Sequence, residues 1–195
     1  MTTQSTTTVY LARHGQTAFN LDDRLRGRAD PALNDTGRAQ AQALARVFAD
    51  IRLTRVVASP LQRAVDTARP TAAAAGLAVE ISEGLNDRDY ASWTGVQRRQ
   101  VEQQFGSVDA APGVETMAAL RQRVLAAFNA LLTTPGGPAI LLVGHDATNR
   151  ALLTGLIPEL EAAPQDNGCW NKLSWDGHRW QLAVLNARPG DGQRP

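Results

Sequence analysis

Apolar residues follow two rhythms along this chain. Short unbroken runs, Val9-Tyr10-Leu11-Ala12, Val56-Val57-Ala58 and Ala139-Ile140-Leu141-Leu142-Val143, have strand length and stop at polar or turn residues, the pattern of buried strands. A further short strand is expected over 77–81. Between the runs, apolar positions recur three and four apart. Ala39, Ala43, Leu44, Val47, Phe48 and Ile51 share one face of a helix over about 35–50, capped by Asn34 or Asp35. A second helix is expected over about 60–75, with Pro60 in its first turn and Gly76 at its end. A third, over about 115–132, places Leu120, Val124, Ala127, Phe128 and Leu131 on one side, and a fourth covers about 147–156. Residues 22–34 and 86–95 read as loops, the latter followed by a short helix to Phe105, and 134–138 is a strong turn. Near the end, runs over 170–175 and 178–185 flank Asp176-Gly177 and predict a hairpin.

Strands alternating with helices predict an α/β fold: a three-layer sandwich with a mostly parallel sheet, helices on both faces and an antiparallel C-terminal hairpin. The stretch 84–113 breaks the alternation and is expected to be a small lid insertion. With 195 residues, 1–195 is expected to form a single domain, with 1–8 and 188–195 flexible.

Composition narrows the function classes. A chain with 43% hydrophobic and 20% charged residues is neither disordered nor collagen-like. No apolar run approaches the ~18–20 residues of a membrane span, and from the polar, Thr-rich start no secretory signal is expected. One cysteine, Cys169, can make neither an internal disulfide nor a Cys-based zinc site. A cytoplasmic protein with no membrane partner is expected. Twenty basic against nineteen acidic residues give +1, too balanced for binding nucleic acid by bulk charge. Only Lys172 is lysine; all other basic residues are arginine, whose planar fork suits phosphate.

Position gives those arginines meaning. In an open parallel sheet, ligands bind beyond the carboxyl ends of the strands. Arg13-His14-Gly15 follows the first strand, Ser59-Pro60-Leu61-Gln62-Arg63 the second, and Gly144-His145-Asp146 the fourth. Two imidazoles and two guanidiniums can therefore meet on one rim. A neutral imidazole can attack phosphorus, and fixed cationic donors stabilise the charge on the transferring group. Such chemistry needs no metal or cofactor, and the chain carries no Walker loop, H-E-x-x-H or paired-Asp signature.

Leu11-Ala12-Arg13-His14-Gly15-Gln16-Thr17 with Asn20 resembles the R-H-G-x-T-x-x-N signature of the histidine phosphatase superfamily, the phosphoglycerate-mutase-like group. The resemblance continues through Gly27, Asp30-Pro31-Ala32-Leu33, Gly37 with Gln40-Ala41, 59–64, 85–95, and Gly144-His145 with Arg150, covering about 9–156. It implies that His14 is the phosphorylated nucleophile, and that Arg13, Asn20, Arg63 and His145 hold the phosphoryl oxygens. It also implies that the carbonyl region of Gly15 orients the His14 ring.

The proton donor departs from the pattern. The family's L-x-E-x-x-x-G-x-W-x-G is here Leu85-Asn86-Asp87-Arg88-Asp89-Tyr90-Ala91-Ser92-Trp93-Thr94-Gly95, with Asp87 in the glutamate's place and Ala91 in a glycine's. Asp146 is the other candidate, because His145-Asp146 resembles the pair of the acid-phosphatase branch. The plainer role of Asp146 is at a helix start, and that of Asp87 a cap or a pair with Arg88. Arg88, Tyr90 and Arg98 fall where mutases of the family meet a phosphorylated acid. Gly113-Val114-Glu115-Thr116 instead resembles the start of the phosphatase branch's helix, and the mutases' longer insert is missing. The expectation is a phosphatase acting on a small phosphate ester; a mutase and a phosphate-binding module with weak turnover are the alternatives. Oligomeric state is not legible.

Overall fold

The computed structural model describes residues 7–133, 139–160 and 163–195. The chain runs through β1 (Thr8–Arg13), α1 (Ala18–Leu21), α2 (Asp35–Val47), β2 (Arg55–Ala58), α3 (Gln62–Ala74), β3 (Val79–Ile81), α4 (Arg98–Phe105), α5 (Met117–Thr133), β4 (Ala139–Gly144), α6 (Asp146–Leu156), β5 (Trp170–Trp175) and β6 (Trp180–Ala187). The strands form one six-stranded sheet in the order β3-β2-β4-β1-β5-β6. β1 to β4 are parallel, and the β5–β6 hairpin joins β1 antiparallel. This is the predicted architecture.

Alternating side chains of the central strands feed two cores, as the pleat requires. Val9, Leu11, Val57, Ile140 and Leu142 pack under α5 and α6 with Leu120, Val124, Phe128 and Leu152. Tyr10, Ala12, Val56, Ala58, Leu141 and Val143 pack on the other face with Leu44 and Phe48 near α2 and Ala64 and Ala68 of α3. Tyr10, Phe48 and Trp170 make edge-on ring contacts there, at centroid distances of 4.9 to 6.3 Å. Among the described residues no helix is long and apolar enough to cross a membrane.

The element boundaries differ from expectation in informative ways. Pro60 precedes α3, because Asp30 reaches across to accept the Gln62 and Arg63 N–H groups and starts the helix there. Asn34, not Asp35, caps α2 through the Gly37 N–H. β3 is a three-residue edge strand, with Ile81 half exposed. The hairpin turn spans 176–179, because Asp176 accepts the N–H groups of both His178 and Arg179, so β6 starts later than expected. Thr7 and Thr8 belong to the sheet rather than to a free end; 1–6 and the turn 134–138 lie outside the described residues. In the expected tail, Arg188 is tied to Asp166 at 2.6 Å.

Residues 84–113 hold three short 3-10 turns and α4. They build a third apolar cluster in which Tyr90, Val101, Val108 and Ala111 close on Leu25 from the loop after α1. Ala91, the family's glycine position, has φ +48°, held by its N–H donating to Asp89 at 2.8 Å. That left-handed conformation costs a Cβ-bearing residue roughly 1–2 kcal/mol. Ala91→Gly is therefore expected to raise unfolding free energy by about 0.5–1 kcal/mol after the extra chain entropy of glycine is subtracted. Urea denaturation checks this; a loss of stability would contradict the strain argument.

Candidate active site

β2, β4 and β1 are neighbours in the sheet, so their carboxyl ends lie side by side. Arg13 ends β1, His14 follows it, Ser59 follows β2 with Arg63 in the first turn of α3, and His145 stands between β4 and α6. The four predicted groups do converge. The His14 and His145 rings are 5.2 Å apart between centroids, inclined at 58°.

The His14 ring is held in one tautomer. Its Nδ1 lies 2.7 Å from the Gly15 carbonyl oxygen, which can only accept, so Nδ1 carries the proton and Nε2 keeps a free lone pair. Gly15 is fixed in turn by its N–H donating to Thr67 Oγ1 at 2.9 Å. A Cβ on Gly15 would stand 2.5 Å from the Gly37 carbonyl oxygen, and one on Gly37 2.1 Å from that of Gln16. The first turn of α2 thus presses directly on the loop that carries His14, and only glycines permit it.

Arg63 is fully buried. Its Nη2 donates to the Gly27 carbonyl and to Asp87 Oδ2, both at 3.0 Å, and Nη1 to the Ala29 carbonyl at 2.6 Å. Arg13 Nη1 donates to the Gln165 carbonyl. His145 Nε2 meets Ser59 Oγ at 2.7 Å, while its Nδ1 lies 3.8 Å from Asp87 Oδ2. Ser59 Oγ also accepts the Leu61 N–H at 3.3 Å.

Five nitrogens of this cluster are buried without a hydrogen-bond partner: Arg13 Nε, Arg26 Nε, Arg63 Nε, His14 Nε2 and His145 Nδ1. Orphaned buried polar atoms are rare, and each costs free energy. Their concentration here marks a binding place for a group rich in hydrogen-bonding oxygens.

Beside this buried floor, and sharing Arg13 with it, lies a cavity of about 710 Å³ lined by arginines and aspartates with Asn20, Tyr90, Met117 and Asn167 among them; the fully buried His14, His145 and Arg63 do not line it. Asn20 Oδ1 accepts from Thr17 N–H and Oγ1, at 3.0 and 2.8 Å, so its Nδ2 is the end with donors to offer. The two candidate acids are placed differently. Asp87 is buried between Arg63 and His145. Asp146 opens α6 on the cavity wall, its Oδ1 accepting from Arg150 Nε at 2.7 Å. Arg88 lines the wall, tied to Asp109 at 2.6 Å and to the Glu115 carbonyl at 2.7 Å. Tyr90 is buried beside it, its hydroxyl pushed up to about 12 by burial and the nearby Asp87 charge. Arg98 sits farther out, facing Asp23 and Glu102, both at 3.7 Å. Arg26 is a wall residue that the sequence reading did not single out.

Burial holds both imidazoles well below the usual histidine range, and the Arg63 charge adds to it, helped by Arg13 and Arg26. Burial pushes the Cys169 thiol up to about 12, so it offers no competing thiolate. Among the described residues no group of three His, Cys, Asp or Glu side chains could hold a metal ion.

Residues 9–188 match the family model of the histidine phosphatase superfamily (branch 1). The chain belongs to this superfamily. It is 28% identical over 183 residues to an uncharacterized phosphatase, PhoE, of Bacillus subtilis, covering 92% of this chain and 94% of that one. It is 32% identical over 159 residues to a probable phosphoglycerate mutase of Yersinia pestis, covering 76% and 74%. Among solved structures, a mycobacterial glucosyl-3-phosphoglycerate phosphatase in complex with VO3 superposes with a TM-score of 0.84 at 28% identity, covering 93% and 99%. The α-ribazole phosphatase of Shigella flexneri gives 0.82 at 29%, covering 93% and 96%. Superfamily membership with these relatives supports a phosphatase or mutase activity.

The two buried histidines make a signed prediction. A histidine whose folded pKa is depressed contributes stability above pH 6.5, and loses it as pH falls toward the folded value. Unfolding free energy should therefore fall between pH 6.5 and 5, with His14 and His145 each adding up to about 1.4 kcal/mol per pH unit to the slope. His14→Asn should flatten that slope in denaturant titrations, while NMR of the wild type shows both rings neutral at pH 6. A His14 ring already protonated at pH 6 would refute the account.

Proposed function

We propose that the protein is a metal-independent phosphomonoesterase that hydrolyses a small phosphorylated metabolite through phosphohistidine at His14. The observation that carries this reading is the set of unpartnered nitrogens: those of Arg13, Arg63 and His145 can donate to the oxygens of one tetrahedral anion, while the unprotonated His14 Nε2 keeps its lone pair for phosphorus. The VO3 complex of the mycobacterial relative, a phosphate-like oxyanion on the same fold, fits this chemistry.

In the first step the His14 Nε2 lone pair bonds to phosphorus, the ester P–O bond breaks, and the leaving oxygen takes the proton that the ester monoanion brings into the site, passed on through Asp87. The products are the alcohol and a phosphohistidine whose Nδ1–H stays on the Gly15 carbonyl. Arg13, Arg63, Asn20 and His145 stabilise the charge on the equatorial oxygens. In the second step water gives its proton to Asp87 and attacks phosphorus, and the His14 nitrogen departs with phosphate as product. Asp87 is preferred over Asp146 as the acid because it lies against Arg63 and His145, whereas Asp146 is engaged by Arg150 on the wall. Arg88, Tyr90 and Arg98 would meet the rest of the substrate.

The likeness to a probable phosphoglycerate mutase keeps mutase chemistry as the second reading. Phosphoglycerate interconversion with a bisphosphate primer, scored against phosphate release, separates the two.

His14→Ala is expected to abolish hydrolysis of 4-nitrophenyl phosphate and labelling of the protein by radioactive phosphate ester. Full turnover by that variant would end the proposal. Asp87→Asn should lower kcat on an alkyl phosphate by roughly 10²–10⁴-fold and far less on 4-nitrophenyl phosphate, whose leaving group needs no proton. The same selective loss in Asp146→Asn instead would move the acid role to Asp146.

A further inference from the structure

The cavity wall carries six arginines: Arg13, Arg26, Arg88, Arg98, Arg121 and Arg150. Most are already engaged. Arg13 donates to the Gln165 carbonyl, while Arg88 faces Asp109, Arg98 faces Asp23 and Glu102, and Arg150 faces Asp146. Arg121 is exposed, so water screens its charge.

Arg26 is different. It is half-buried, and among the described residues no carboxylate lies within ion-pair distance of it. Its Nη1 makes one long bond, 3.4 Å, to the Arg24 carbonyl, and its Nε is buried with no partner. The backbone beneath it is fixed. Leu25, buried in the third cluster, exchanges hydrogen bonds with Val96 and Gly95 at 2.9 and 2.7 Å, and Ala29 donates to the Arg26 carbonyl at 3.0 Å. The next residue, Gly27, supplies a carbonyl to Arg63. Arg26 therefore stands beside the buried Arg63, but on the wall rather than on the floor. Arg26 lines the cavity, and in the proposed complex the alcohol portion of the ester extends into it.

A guanidinium held in place, partly stripped of water and left without an anion, is an unmatched charge that a substrate can match. We propose that Arg26 is a specificity-determining residue that binds a second negative group, a carboxylate or a second phosphate, on the alcohol portion of the ester. The proposal rests on the phosphomonoesterase reading above for the placement of the transferred phosphoryl on the floor.

The test compares three esters: glycerol 1-phosphate with a neutral alcohol portion, 3-phosphoglycerate with a carboxylate, and propane-1,3-diol bisphosphate with a second phosphate. The wild type should favour at least one charged ester over glycerol 1-phosphate by tenfold or more in kcat/KM, and the preferred one identifies the group. Arg26→Gln should lower kcat/KM for that ester by about 10- to 100-fold, the size of a charged hydrogen bond, mainly through KM, with a loss of only about threefold on glycerol 1-phosphate. Arg26→Lys should restore part of the preference. Equal losses on all three esters would assign Arg26 to the transferred phosphoryl group and overturn the proposal, as would an unchanged ratio between charged and neutral esters. Calorimetry on His14→Ala against His14→Ala/Arg26→Gln reads the same ratio in Kd. The inference is thus decided even if the wild type releases no phosphate, an outcome that would count against the hydrolase reading alone.

Discussion

The architecture of the site follows from burying one guanidinium. Taking a cation as large as that of Arg63 out of water costs several kcal/mol unless its donors are met. The carbonyls of Gly27 and Ala29 and the carboxylates of Asp30 and Asp87 meet them. To supply those oxygens, the loop after α1 must fold back over the start of α3, with Gly27 at φ +48° to make the bend. The segment containing Asp87 must also come down onto the same cation. Both movements create the third apolar cluster, so the cavity wall and the floor charge are parts of one arrangement.

That charge also sets the chemistry of the rings above it. Two imidazoles whose centroids are 5.2 Å apart, beside a buried guanidinium, cannot accept protons without facing three like charges. In the proposed reaction the neutral form is the one that attacks phosphorus, so the charge assigned to anion binding would also keep the nucleophile neutral. When Nε2 bonds to phosphorus the ring becomes cationic, but it then lies against the negative oxygens of the phosphoryl group. The Gly15 carbonyl holds its remaining proton throughout.

Much of this was legible in the sequence because strand ends are legible. Arg13-His14, Ser59 and Arg63, and Gly144-His145 each follow an apolar run, and β2, β4 and β1 turn out to be adjacent. Two things were not legible. Helix starts moved where a distant side chain intervened: Asp30 begins α3 from across the loop, which no local pattern around Pro60 reveals. Arg26 went unnoticed because it sits in a polar loop between Arg24 and Arg28, and loops have no period to say which side chain points inward. Only the structure shows Arg24 and Arg28 facing Asp22 and Asp89 while Arg26 turns to the cavity. Ala91 is a middle case. The departure from glycine was visible, but its left-handed backbone was not.

The choice between hydrolysis and transfer is finally a question about water. A transferase must keep its phosphohistidine dry until the acceptor arrives. Here the cavity that Arg13 shares with the buried cluster is about 710 Å³, lined mostly by arginines and other polar side chains. A water molecule's share of liquid volume is about 30 Å³, so a small ester leaves room for many, and polar walls retain them. Once the alcohol has left, such a cavity fills with the most abundant nucleophile available. Its wall would have to close much further, bringing the segment with Arg88 and Arg98 over the rings, before an acceptor alcohol could compete. Geometry of this kind fits the proposed release of phosphate, and selectivity among substrates would then fall to the charges on the wall.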